Sequence, residues 1–330
     1  MRLFLDPPSI ASKRGGAVRL LRLGDISPFK ARGEHNGRGP GEPVSLVCNA
    51  REGFLTPSPG VELHYVDIGP REGRPLIFIH GLTANTAFYG PLLHALARPW
   101  RVIGLDLRGH GLSSKPEGGY TLPRLSEDIR ALAEHLDITS YVLVGHCLGA
   151  IISLYHAARE PDAVEALVAV ELPSPVMRPS LNHLSCWTCV ALARGLSALG
   201  SPGREAIFLM ALASLMPEGA GRTLRRWLSS NIVQDGRTGL RWAFSWHAVA
   251  EIMRGLLGLD VSGLLKAVRC PVLLVRGSRG LFWASDAEEM ASLLPEARLI
   301  TVQKAGHIIF TVALGPLSGA IRRFLEDTLG

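Results

Sequence analysis

The chain has 330 residues, of which 47% are hydrophobic and 19% are charged, enough apolar sequence for one large domain with a substantial insertion. Its net charge of +6 is unevenly spread, because residues 1–50 contain eight Lys and Arg against four Asp and Glu. The positive charge that remains for residues 51–330 is small, which argues against a nucleic-acid-binding surface. No apolar run is long enough to cross a bilayer. The short apolar run at the N-terminus ends at Asp6-Pro7-Pro8, before it is long enough for the core of a signal peptide. We therefore expect a cytoplasmic protein without a membrane span.

The pattern along the chain divides it into three parts. Residues 1–50 are rich in Gly, Pro and Arg without helical or strand periodicity, which predicts a flexible N-terminal extension. Residues 51–172 and 267–330 alternate short apolar runs with helical stretches, which predicts one α/β core with a mostly parallel sheet. Residues 173–266 show helical periodicity without strands, which predicts a helical cap, or lid.

Short apolar runs mark the strands of the predicted core, and three- and four-residue apolar steps mark its helices. The candidate strands are Val61–Ile68, Pro75–His80, Arg101–Asp106, Tyr141–Gly145, Ala166–Glu171, Pro271–Arg276 and Arg298–Val302. The candidate helices include Tyr89–Leu96, Leu125–Leu136 and Leu148–Ala158.

The segment Tyr141–Gly149 reads as an apolar strand, a tight turn and the start of a helix at Leu148. This is the arrangement of a nucleophile elbow, in which Gly145 and Gly149 keep side chains away from a crowded turn. Cys147 stands at the position of the nucleophile. Because it precedes a helix N-terminus, whose N–H groups favour an anion, a thiolate would be stabilised there.

Four motifs in this order resemble the α/β-hydrolase superfamily over residues 51–330. Besides the elbow, they are His80-Gly81-Leu82, the segment Asp106–Ser114 and the C-terminal Ala305-Gly306-His307. The resemblance implies an α/β-hydrolase fold, with a mostly parallel eight-stranded sheet flanked by helices and covered by a helical cap.

The resemblance also implies roles for individual residues. His307, on a loop after the last strand, would be the general base for Cys147. The backbone N–H groups of Leu82 and Leu148 would form the oxyanion hole. The other histidines of the motifs, His80, His110 and His146, would shape loops.

The acid of the triad departs from the commonest pattern of the family. That pattern has Asp shortly after the glycine that follows the strand Pro271–Arg276, but here residues 278–281 are Ser, Arg, Gly and Leu. Glu171 ends an apolar strand, as the acid does in haloalkane dehalogenases, and a buried carboxylate there needs a partner. Asp286 is the alternative, although Ser285 and Glu288 around it form a capping-box pattern with Ser285 as the N-cap. We favour Glu171, while Asp286 or a missing acid stays open.

We expect neither a metal nor another cofactor. Cys186 and Cys189, with His183 nearby, lie in the predicted cap without a second ligand pair, so helix packing is favoured over a redox or metal site. The five cysteines of the chain are expected to be reduced thiols. Large cap side chains are candidates to line an apolar substrate pocket; they are Trp187, Phe208, Met210, Trp227, Trp242, Phe244 and Trp246.

The sequence favours a hydrolase that takes an acyl group from an ester, thioester or lactone onto Cys147. The alkyl-ester chemistry of dehalogenases and epoxide hydrolases is disfavoured, because those enzymes use a carboxylate nucleophile. Two alternatives stay open: an acyltransferase that passes the acyl group to an alcohol or amine, and a ligand-binding protein without turnover. The expected partner is a small-molecule acyl substrate with an apolar acyl part, and the sequence leaves its identity and the oligomeric state open.

Overall fold

A computed structural model describes residues 19–20, 50–173, 209, 215–216, 218–235 and 239–330. The strands are β1 Arg19–Leu20, β2 Arg51–Ser58, β3 Val61–Ile68, β4 Pro75–Ile79, β5 Arg101–Leu105, β6 Tyr141–His146, β7 Val164–Val170, β8 Ile232–Asp235, β9 Gly239–Trp242, β10 Val272–Gly277 and β11 Ala297–Val302. The helices are α1 Thr86–Leu96, α2 Leu122–His135, α3 Leu148–Arg159, α4 Glu218–Asn231, α5 Trp246–Leu256, α6 Val261–Ala267, α7 Ala284–Leu293 and α8 Phe310–Leu329.

The core is an eight-stranded sheet in the order β11-β10-β7-β6-β4-β5-β3-β2. Strands β2 and β3 pair antiparallel with each other and β3 pairs antiparallel with β5, while the other neighbours are parallel. The prediction of a mostly parallel eight-stranded sheet is confirmed. The carboxyl ends of β4, β6, β7 and β10 therefore meet at one edge, where loops can bring distant residues together.

The edge strand β2 was missing from the candidate strands. Its sequence contains Pro57, and only Leu55 of its eight residues is fully buried. Alternation between apolar and polar residues is therefore weak, as is common in edge strands.

Helices cover both faces of the sheet. The helices α2, α3, α6 and α7 contribute buried residues to a cluster on one face, and α1 and α8 contribute to the cluster on the other. In α2 the buried residues Leu122, Leu125, Ile129 and Leu132 follow three- and four-residue steps. Each buried leucine or isoleucine contributes about 1.5–3 kcal/mol relative to an exposed one, so this stripe fixes the helix against the sheet.

The described part of the cap contains strands, so the prediction of a purely helical segment over residues 173–266 was wrong. Strands β8 and β9 pair antiparallel, and β1, from the predicted N-terminal extension, pairs with β8. Four-residue strands are too short for their period to be separated from that of a helix end. His183, Cys186, Trp187, Cys189, Phe208 and Met210 lie outside the described residues, as do residues 1–18 and 21–49. Within the described ranges, every helix is too short or too polar for a bilayer crossing.

A buried ion pair joins β3 to the loop after β5. His64 Nδ1 lies 2.9 Å from Asp106 Oδ2, and His64 Nε2 lies 3.7 Å from Glu52 Oε2. Burial lowers the pKa of His64, but the hydrogen bond to Asp106 and the charges of both carboxylates outweigh it and raise this pKa to about 9. The backbone N–H groups of Thr86 and Leu112 also donate to the Asp106 carboxylate, so the pair anchors the start of α1.

The His64 pair predicts that the free energy of unfolding falls at alkaline pH. Because the folded pKa of His64 exceeds its unfolded value near 6.5, the contribution is complete below pH 6.5 and is lost as pH rises through about 9. With about 1.4 kcal/mol per pKa unit, the loss is about 3 kcal/mol. Urea unfolding at several pH values should show this loss in the wild type and in a control, His135→Gln, at an exposed histidine. The same pH dependence in His64→Gln would contradict the prediction.

Candidate active site

Cys147 lies in the turn between β6 and α3, at the carboxyl edge of the sheet. Its φ of 54° and ψ of −114° are outside the usual regions for a residue with a side chain, and such strain clusters at functional sites. The turn is crowded: a Cβ on Gly145 would collide with the carbonyl oxygen of Gly149, and a Cβ on Gly149 would collide with that of Ile79. Both glycines are therefore sterically required, and the thiol is held at the N-terminus of α3 while remaining partly exposed.

The structure brings His307 against Cys147 and Glu171. His307 Nδ1 lies 3.0 Å from Glu171 Oε2, and the imidazole also forms a side-chain hydrogen bond with Cys147. Since Nδ1 faces the carboxylate, Nε2 is the nitrogen left for the sulfur. The imidazole is 20% exposed, whereas the Glu171 side chain is fully buried.

The charge state of His307 follows from these neighbours. Burial lowers its pKa, but the charge and hydrogen bond of Cys147, followed by those of Glu171, outweigh burial and raise the pKa to about 10. His307 is then an imidazolium at neutral pH. This arrangement places a proton donor beside the Cys147 sulfur.

Glu171 is held by backbone groups of the loop that follows β10. The N–H of Gly277 donates to Oε1 over 2.7 Å, and the N–H of Leu281 donates to Oε2 over 3.1 Å. With His307, three donors satisfy a carboxylate whose residue is only 1% exposed. Its backbone φ of 51° turns the side chain from the end of β7 toward this loop. Such charge-assisted bonds offset the several kcal/mol that burial of an unpaired charge would cost.

Gly280 explains why the expected acid position after β10 lacks a side chain. A Cβ built on Gly280 would collide with the Glu171 carboxylate. The space that an acid on this loop would need is therefore filled by an acid from β7.

Asp286 lies in the first turn of α7, and no hydrogen bond joins it to His307 within the described part of the chain. It is 4% exposed, and its Oδ2 lacks a hydrogen-bond partner among the described residues. The predicted capping box was wrong, because the helix begins at Ala284 with Trp283 as N-cap and without a side-chain cap. Ser285 thus lies inside the helix.

The two expected oxyanion donors lie on either side of the elbow. Leu148 is the first residue of α3, and the first four N–H groups of a helix have no partner within it. Leu82 follows Gly81 in a turn after β4, in which the N–H of Ala84 donates to the carbonyl of Gly81 over 3.2 Å. His80 fixes the start of this turn, because its Nδ1 donates to Gly81 O over 2.8 Å and its Nε2 accepts from the N–H of Leu107 over 3.0 Å.

His146 links the elbow to the loop of His307, a contact that the sequence did not indicate. Its Nε2 donates to the His307 carbonyl over 2.9 Å, and its Nδ1 accepts from the Tyr89 hydroxyl over 2.7 Å. Burial, with the charge of His307 next, lowers the pKa of His146 to about 3, so this ring is neutral. Tyr89 and His146 thereby fix the backbone that carries His307.

Aromatic side chains of the cap pack next to Leu82, in the turn after β4. Trp227, Trp242 and Phe244 contact one another, with ring centroids 5.5–6.1 Å apart. Leu82 is partly buried against this cluster. The described cap therefore presents an apolar surface beside the turn that follows β4.

Known proteins resemble the chain in both sequence and fold. Residues 74–185 match the family described as the alpha/beta hydrolase fold. The chain is 33% identical to 2-(acetamidomethylene)succinate hydrolase of Mesorhizobium japonicum, over 81% of this chain and 94% of that protein. It is 37% identical to a non-heme chloroperoxidase of Streptomyces lividans, over 77% of this chain and 92% of that protein.

A solved structure resembles the whole core. The crystal structure of E-2-(acetamidomethylene)succinate hydrolase matches with a TM-score of 0.68 and 28% identity, covering 84% of this chain and 100% of that chain. The sheet order and the relatives agree, and the chain belongs to the alpha/beta hydrolase fold family.

Proposed function

We propose that the protein hydrolyses an ester, thioester or lactone through an acyl-enzyme on Cys147, with His307 and Glu171 completing a triad. The observation that carries the proposal is the chain of contacts at the elbow. Cys147 is hydrogen-bonded to His307, and His307 is hydrogen-bonded to a buried glutamate. A nucleophile, an adjacent imidazole and a third group that orients the imidazole are the parts that covalent acyl transfer requires.

Acylation begins with attack of the Cys147 thiolate on the acyl carbonyl. The negative charge that develops on the carbonyl oxygen is received by the N–H groups of Leu82 and Leu148. As the tetrahedral intermediate collapses, the bond to the leaving group breaks and His307 donates its Nε2 proton to the departing oxygen or sulfur. The products are an alcohol or thiol and a thioester on Cys147.

Deacylation reverses the roles of the same groups. The neutral His307 accepts a proton from water, and the resulting hydroxide attacks the thioester carbonyl. Collapse of the second intermediate expels the Cys147 thiolate and releases a carboxylic acid. His307 is then again an imidazolium beside a thiolate, held in orientation by Glu171.

The substrate is proposed to carry an apolar acyl part. Support comes from the aromatic cap cluster beside Leu82, which offers apolar contacts near the turn. The Mesorhizobium japonicum relative is named for an acetamido compound of succinate. Amides therefore belong in a substrate panel beside esters, thioesters and lactones.

The acyltransferase alternative and the hydrolase proposal differ in the final acceptor. Each compound of the panel is incubated with the enzyme in water, alone and with an added alcohol or amine, and the products are separated. We expect the free acid to form at a rate proportional to enzyme concentration, with or without the acceptor. Negligible acid beside an acylated acceptor would contradict the hydrolase proposal, and the absence of any product across the panel would favour a binding protein.

A further inference from the structure

One cap helix, α4, is hydrogen-bonded to the segment that follows the oxyanion turn. The Trp227 indole N–H donates to the carbonyl of Thr83 over 2.8 Å. The Arg226 side chain donates to the carbonyl of Phe88 over 2.7 Å, and the Asn85 amide donates to the carbonyl of Ser230 over 2.7 Å. Successive turns of α4 are therefore hydrogen-bonded to residues 83–88, which begin directly after Leu82.

The turn held by Trp227 has a strained residue at its centre. In the turn Gly81–Ala84, Thr83 is the third residue and has a φ of 56°. That position of a type II turn favours Gly or Asn, and a β-branched residue there is a true outlier. Strain of this kind persists only where the surroundings fix the backbone. The Trp227 bond to the Thr83 carbonyl is one such constraint.

The orientation of the Leu82 N–H depends on this turn. The Thr83 carbonyl belongs to the same peptide as the Ala84 N–H, which donates to the carbonyl of Gly81 over 3.2 Å. That Gly81 carbonyl belongs to the peptide that carries the Leu82 N–H, so a rotation of the Thr83–Ala84 peptide disturbs the bond that orients it. The core fixes the start of the turn, because His80 bonds Gly81 and Gly81 packs against His146, which lies 3.0 Å from an ideal Gly81 Cβ. The end of the turn is fixed by the cap.

We infer that Trp227 is a positioning residue of the oxyanion hole, whose indole N–H holds the Thr83 carbonyl so that the Leu82 N–H meets the oxyanion. This inference rests on the proposed function. The cap would then help to stabilise the transition state as well as cover the substrate. Loss of the bond should weaken stabilisation of the tetrahedral intermediate and leave binding of the ground-state substrate nearly unchanged.

The matched pair of variants is Trp227→Phe and Trp246→Phe. Both substitutions replace an indole by a phenyl ring next to Phe244, whose ring centroid is 6.1 Å from that of Trp227 and 4.8 Å from that of Trp246. The indole N–H of Trp246, unlike that of Trp227, has no hydrogen-bond partner among the described residues. The pair therefore separates loss of the Thr83 bond from loss of aromatic area.

Three measurements are made on each full-length variant: kcat and KM for the best substrate, inhibition by the matching aldehyde, and alkylation of Cys147 by iodoacetamide. For Trp227→Phe we expect kcat to fall about ten- to a hundredfold with KM within about twofold. The aldehyde, which forms a tetrahedral adduct with a thiolate, should bind more weakly by a similar factor. Alkylation creates no oxyanion, so its rate should stay within about twofold. In Trp246→Phe any change should fall on KM, because Trp246 is a candidate pocket residue, while kcat and the ratio of aldehyde affinity to substrate affinity should stay within about twofold. Thermal unfolding checks both folds.

Equal losses of kcat in the two variants, or a Trp227→Phe loss that is absent from aldehyde affinity, would overturn the role of Trp227. In that case a wild-type enzyme that still acylates Cys147 would leave the proposed function standing. A wild type without an acyl-enzyme would overturn both, so the two failures are distinguishable.

Discussion

Replacing Cys147 with alanine will lower kcat by about 10⁴-fold or more, since alanine cannot form the thioester. The substitution removes only the sulfur from a turn whose shape is set by Gly145 and Gly149, so the fold should persist. Residual activity should resemble that of an oxyanion hole without a nucleophile. The measurement is the rate of turnover of the best substrate by the variant and by the wild type. The concentration of active sites in the wild type is determined separately.

Cys270→Ala is the matched control for this prediction. Cys270 is a second described free cysteine, buried between α6 and β10, and burial raises the pKa of its thiol to about 11. It should react slowly with iodoacetamide, and its alanine variant should keep kcat within about twofold even if unfolding occurs at a lower temperature. Wild-type turnover in Cys147→Ala would contradict the nucleophile assignment.

Replacing Glu171 with glutamine will lower kcat by about two to four orders of magnitude. The carboxylate accepts from Gly277 N–H on one oxygen and from Leu281 N–H and His307 on the other. A glutamine must direct its NH₂ group at one of these sets of donors, so at least one bond becomes a repulsive contact. The imidazolium of His307 also loses its buried counter-charge. Steady-state kinetics and the pH dependence of kcat/KM measure both consequences.

Asp286→Asn is the matched carboxylate control, and it should change kcat less than about threefold, because Asp286 has no described bond to His307. A steric variant, Gly280→Ala, tests the same site without touching a charge. Its Cβ would push into the Glu171 carboxylate, so kcat should fall in the direction of Glu171→Gln. Gly315→Ala, in α8 with open space around the new Cβ, controls for the substitution itself. Equal and small effects of Glu171→Gln and Asp286→Asn would remove Glu171 from the triad.

The sequence was sufficient to predict the core and the strand, turn and helix around Cys147, because their patterns are local. Parallel strands buried on both faces appear as short apolar runs. The close approach of Gly145 to Gly149, which excludes a side chain, involves two residues that are only four positions apart. Short and edge strands such as β2 and β9 were missed, because few of their residues carry a periodic signal. The start of α7 lies two residues earlier than predicted, so Ser285 is inside the helix and is not its N-cap.

The contacts that organise the site join residues far apart in the chain and could not be predicted from spacing. Glu171 was a candidate because a charged residue ended an apolar strand, but its fit against Gly280 depends on how β7 and β10 lie side by side. The bond between Trp227 and Thr83 likewise joins the cap to the turn after β4. Only the tertiary structure brings such pairs together.

The most direct test of the account is rapid-quench mass spectrometry of the wild-type enzyme mixed with an acyl thioester that it turns over. We expect the peptide containing Cys147 to gain the mass of the acyl group within the first turnover. This adduct should decay at a rate no slower than kcat. An enzyme that forms the acid product while Cys147 stays unmodified, or whose adduct decays more slowly than kcat, would contradict it.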